Sequence, residues 1–80
     1  MKNNNEIKQF TINIKQGWNL IAGSLNKDCI ILDNDIVEKI DSIYTVYYFS
    51  ERYILSGNII NSKGNWLRAK KNGTIIIEEI

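Results

Sequence analysis

The sequence predicts an all-β domain, a compact antiparallel β-barrel or sandwich of about six to seven short strands with at most one helical turn. Three observations carry this. Apolar and polar residues alternate with the period of a half-buried strand from Phe10 to Lys15. Turn signals built on Gly, Asn and Ser recur every eight to twelve residues, and only Asp33 to Asp41 offers apolar side chains at helical spacing. At 80 residues, 44% hydrophobic and 24% charged, the chain has the length of one small domain and the composition of a folding one. We expect a flexible arm over residues 1–8 and a single β domain over 9–80.

In the first strand, Phe10, Ile12 and Ile14 point one way and Thr11, Asn13 and Lys15 the other. Gly17 interrupts, and Trp18 to Ala22 reads as a second strand ended by Gly23-Ser24; a brief third covers Cys29 to Leu32. Over Asp33 to Asp41, Asp33 or Asn34 can cap a helical turn whose Ile36, Val37 and Ile40 share a face. Ser42 to Phe49 is rich in β-branched and aromatic residues on both faces, as a central strand requires, and Ser50-Glu51-Arg52 turns it into Tyr53-Ile54-Leu55. Asn61 to Gly64 turns into a strand from Asn65 to Lys71. Asn72-Gly73 is the favoured type I′ dipeptide, so we expect a hairpin pairing Lys71 with Thr74, Ala69 with Ile76 and Leu67 with Glu78. The first strand and Thr74 to Ile77 carry little edge protection, which predicts that they pair and close a barrel, or that one edge docks on another chain.

Composition narrows function. Ile, Asn and Lys supply 35 of the 80 residues while His and Pro are absent, a bias of AT-rich coding. Without His the chain lacks the commonest neutral-pH base and metal ligand, and one cysteine, Cys29, makes neither an internal disulfide nor a zinc site. A net charge of +1 marks no nucleic-acid or membrane binder, and no apolar run approaches a membrane span or a secretory signal. The chain is therefore expected to stay inside a cell after cytoplasmic synthesis unless a virion or particle carries it out on its surface.

Gly17-Trp18-Asn19-Leu20-Ile21-Ala22-Gly23-Ser24 near the start and Lys63-Gly64-Asn65-Trp66-Leu67-Arg68-Ala69 near the end resemble a small all-β module marked by GWNLI and GYWVKA motifs. Ser42-Ile43-Tyr44-Thr45-Val46-Tyr47 and Tyr53 match the stretch between them, and the likeness covers about Gln16 to Ile77. The resemblance implies an accessory module of bacterial extracellular or large-DNA-virus proteins, without an assigned reaction. This chain departs from it with Gly64-Asn65-Trp66 in place of Gly-Tyr-Trp.

Among candidate site residues, Trp18 alternates in phase with Leu20 and Ala22, so we expect it in the core with Leu20, Ile21, Phe10, Ile12 and Tyr47. Trp66 shares a face with Arg68 and Lys70, whose charges must reach water, and these three form the candidate interaction face. Lys63, Arg68, Lys70 and Lys71 are the only basic cluster, partly offset by Glu78 and Glu79, which makes a nucleic-acid partner unfavoured. Asp33, Asn34, Asp35, Glu38 and Asp41 lack the alternation and the Gly of an EF-hand, so no metal is expected. Cys29 between apolar neighbours reads as a small buried residue. No catalytic constellation or cofactor motif is present in the sequence. The expectation is a non-enzymatic structural or interaction module, a minor capsid, cap or decoration component of a virion held by a protein partner. A carbohydrate- or surface-binding β module, suggested by Trp66, Tyr44, Tyr47, Tyr48 and Tyr53, is the alternative.

Overall fold

A computed structural model describes residues 7–22 and 27–80. The expected arm, apart from Ile7 and Lys8, and the expected stop at Gly23-Ser24 lie outside the described residues. The chain is all-β, with nine strands among the described residues where six or seven were expected. These are β1 (Gln9–Ile14), β2 (Gly17–Ala22), β3 (Cys29–Ile31), β4 (Lys39–Ile40), β5 (Ile43–Tyr44), β6 (Val46–Phe49), β7 (Tyr53–Leu55), β8 (Gly64–Ala69) and β9 (Gly73–Glu79). The additional strands are two-residue pieces too short to carry a periodicity. No helix among the described residues is long and apolar enough to cross a membrane.

Three antiparallel sheets result, in the orders β1-β9-β3, β2-β8-β6-β7 and β4-β5. The first two enclose one core in a sandwich-like arrangement: Ile14, Ile75, Ile77, Cys29 and Ile31 come from one sheet, and Val46, Leu67 and Ala69 from the other. Val37 and Ile59, bridging to Ala69 and Cys29 from outside the named strands, complete the cluster. Phe10, Ile12 and Ile21 are half-buried against this cluster. The terminal strands do pair, Gln9 opposite Glu78 through Ile14 opposite Gly73, but the sheets do not close into a barrel.

The expected Asn72-Gly73 hairpin does not form. β9 pairs with β1 and β3, β8 pairs with β2 and β6, and Gly73 is not among the glycines with positive φ. The two pairings β1·β9 and β2·β8 instead make one long ribbon that folds over at its middle. Ile14 faces Gly73 and Gly17 faces Ala69, so residues 15 and 16 on one side oppose 70, 71 and 72 on the other. The extra residue is a bulge, the device by which a strand bends and changes sheet. Asn72 serves that bend, its Oδ1 accepting a hydrogen bond from Gln16 N at 2.7 Å, and Gly17 bends the facing strand at φ +98°. The true two-residue hairpin joins β4 and β5, where Asp41 and Ser42 both take positive φ between Ile40 and Ile43.

The helical turn expected over Asp33 to Asp41 is also absent. Asn34 Oδ1 accepts from Ile36 N and Val37 N as a cap would, yet the chain then extends, and Glu38 N donates to Arg68 O. The expected central strand Ser42 to Phe49 is divided at Thr45, whose N donates to Glu38 O; its second half, β6, is interior and forms the expected hairpin with β7.

Candidate functional site

Register decides which side chains share a face, because partners directly opposite in an antiparallel pair point the same way. In the four-stranded sheet, Trp18 lies opposite Arg68, Leu20 opposite Trp66, Trp66 opposite Tyr47, Tyr47 opposite Leu55 and Phe49 opposite Tyr53. These residues make up the outer face. The inner face carries Val46, Asn65, Leu67 and Ala69, all buried.

Two core assignments are thereby corrected. Trp18 is 49% exposed and Leu20 60% exposed, both on the outer face, while Ile21, next after Leu20, is the β2 residue that packs against the core. The more apolar phase of β2, Trp18, Leu20 and Ala22, is the one turned outward, and the inward phase holds Asn19 beside Ile21, so alternation pointed the wrong way and the ring took the side that β8 dictates. Tyr47, also expected in the core, is half-buried on the same outer face.

Trp18, Tyr47, Tyr53 and Trp66 line an open recess of about 510 Å³ on this face, within the roughly 300–1,000 Å³ usual for ligand sites. The Trp18 and Tyr47 rings stand 6.2 Å apart at 54°, and Phe49 meets Tyr53 edge-on at 5.2 Å, so the rings hold one another in tilted arrangements. Arg68 lies 5.5 Å over the Trp18 ring and its Nε meets Glu38 Oε2 at 3.2 Å. One cation thus steadies the Trp18 ring and is itself matched by a carboxylate.

Of the expected interaction face, Trp66 and Arg68 are on this surface. Lys70 lies beyond the end of β8, where it lines a separate polar recess of about 460 Å³ with Asn34, Asp35, Val37, Glu38 and Lys39. The basic cluster is partly neutralised, since Lys71 Nζ pairs with Asp35 Oδ2 at 3.0 Å and holds that carboxyl below its ordinary range. Asn34, Asp35 and Glu38 are committed to backbone amides, Lys71 and Arg68, and no metal-holding group of His, Cys, Asp or Glu occurs among the described residues. Cys29 is buried, and desolvation with Glu79 and Asp28 nearby pushes its thiol up, away from nucleophilic use.

Sequence reasoning missed Trp18, Leu20 and Phe49 as surface residues. The signal was present in β8, where Arg68 fixes the phase: with Leu67 and Ala69 inward, any strand paired in this register must point Trp18 outward with Arg68.

No protein-family model, no curated protein and no solved structure matches the chain.

Proposed function

We propose that this chain is a non-enzymatic interaction module that works through the outer face of its four-stranded sheet. The observation supporting this is that Trp18, Leu20, Tyr47, Phe49, Tyr53 and Trp66 share one uncovered face, with Trp18, Leu20, Phe49 and Tyr53 each about half exposed or more. A contiguous aromatic surface of this kind is kept for a partner, since isolated domains ordinarily hide it. The side chains around it offer flat apolar area and hydrogen-bonding tips. They contain no nucleophile with a base and no carboxylate pair, so recognition is the chemistry they support.

The setting we favour is the one that the GWNLI-module resemblance suggests, a minor capsid, cap or decoration component of a virion or similar particle. In such a particle the face either seals against a neighbouring protein or stays open to bind what the particle meets. The test is native purification of the tagged chain beside a Trp18→Ala/Tyr53→Ala variant, both sites being exposed enough to leave the fold intact. Stoichiometric association with a larger assembly or surface that the variant loses supports the module. A stable monomer that binds nothing, with wild type and variant behaving alike, refutes it.

A further inference from the structure

All four side chains lining the recess are Trp or Tyr; none is Phe, Leu or Met. Each therefore adds one polar tip, an indole N–H or a phenol hydroxyl, to a flat carbon wall. None of these four tips hydrogen-bonds any described residue, whereas the Tyr44 hydroxyl is committed to Asn34, accepting from its N at 3.0 Å. A wholly apolar occupant would bury these tips without partners, which is unfavourable. The fitting ligand carries apolar faces edged with hydroxyls.

Charge narrows it further. None of the four lining residues is charged, and Arg68, seated over Trp18, is paired with Glu38, so the lining offers no unbalanced charge to a phosphate, sulfate or ammonium group. Shape excludes a flat base as the best fit: the 54° between Trp18 and Tyr47 provides no parallel platform, but walls inclined to one another suit a puckered ring with C–H groups on both sides.

From these features we infer that the Trp18–Tyr47–Tyr53–Trp66 recess binds a neutral pyranose unit of a glycan. The inference rests on the reading that the outer sheet face is the working surface, and it names that surface's ligand. Because the recess is open, an internal unit of a longer chain can enter as well as a terminal one.

The experiment titrates the full chain with cello-, malto-, manno- and chitohexaose, following tryptophan emission, with heparin as the charged comparison. Expected is saturable binding of at least one neutral hexasaccharide, weakened at least tenfold in Trp18→Ala and in Tyr53→Ala. Binding should be retained in Ile76→Ala, an exposed residue on β9 of the other sheet. It should also be insensitive to salt between about 0.05 and 0.5 M. Circular dichroism of each variant confirms that loss of binding is not loss of fold. Silence across all four neutral sugars overturns the inference, as does binding confined to heparin and abolished by salt. If the recess is instead shielded from acrylamide quenching in a purified assembly, and Trp18→Ala disrupts that assembly, the sugar is wrong and the interaction module stands. If neither variant alters sugar binding or assembly, both are wrong.

Discussion

Asn65 is fully buried on the inner face of β8, and its side chain ties the 60–63 turn to the paired strands β2 and β8. Its Oδ1 accepts from Ile60 N at 2.9 Å, and its Nδ2 donates to Lys63 O at 3.0 Å and to Ile21 O and Ile60 O at 3.2 Å each. Asn65→Leu keeps nearly the same volume and removes all of this. With two amide hydrogens shared among three carbonyls, the loss amounts to three hydrogen bonds at about 1 kcal/mol each, and Ile60 N remains without that acceptor. A cost of about 3 kcal/mol is a large share of the roughly 4–12 kcal/mol expected for 80 residues. It should lower the melting temperature by more than about 10 °C, read by circular dichroism and checked by urea unfolding. Asn65→Asp sharpens the test. It retains the acceptor for Ile60 N but sets a carboxylate against three carbonyl oxygens, so its carboxyl pKa should rise and the variant should be more stable at about pH 4 than at pH 7. A melting point for Asn65→Leu within a few degrees of wild type would refute the account of Asn65 as the tie between β2, β8 and the 60–63 turn.

Gly73→Ala should destabilise for a steric reason, because a β-carbon there would collide with Ile36 Cδ1; Ile36→Val in the same chain should restore most of the loss, whereas a φ requirement would leave it unrescued. Leu67→Ala, at a fully buried position between the sheets, should cost about 2–5 kcal/mol by chemical denaturation, against less than about 1 kcal/mol for Phe49→Ala at 55% exposure. The Cys29 thiol is pushed above its ordinary value of 9.0, so the folded state holds that proton more tightly than the unfolded chain does. The associated stability is complete below about pH 9 and falls as pH rises through the folded value; the alkaline decline should be shallower in Cys29→Ala.

A strand whose apolar phase faces the core was readable from sequence, and one whose apolar phase faces out was not. β1 alternates cleanly because Thr11 and Asn13 face solvent while Ile14 seals the core, and its pairing with β9 followed from two unprotected edges. β2 places its more apolar phase, Trp18 and Leu20, against water and sets Ile21 inward in the phase of Asn19, so only the register with β8 could choose the phase. The same limit explains Asn72-Gly73: a dipeptide suited to a tight reversal also suits a bulged bend, and the distinction lies in β1 and β2, more than fifty residues away. Asn34 illustrates it on a smaller scale, since its two accepted hydrogen bonds would begin a helix equally well had Val37 not been drawn into a bridge with Ala69. The aromatic recess drew one residue from each of β2, β6, β7 and β8, so its members were visible singly, but their convergence was not.

The pairing of β1 with β9 sets an order of events during synthesis. β9 is the middle strand of its sheet and the partner of both β1 and β3, and Gln9 Nε2 reaches Glu78 Oε1 at 2.8 Å across 69 residues of chain. A chain lacking residues 73–79 keeps the strands of the aromatic sheet, β2, β6, β7 and β8, yet lacks Ile75 and Ile77 and the strand that holds β1 and β3 together over Leu67 and Val46. Half of the core therefore waits for β9, and loop closure across 69 residues makes its pairing with β1 slow compared with hairpin formation. Until then, the uncovered inner face and the outer aromatic face are both open to chaperones and to other nascent copies.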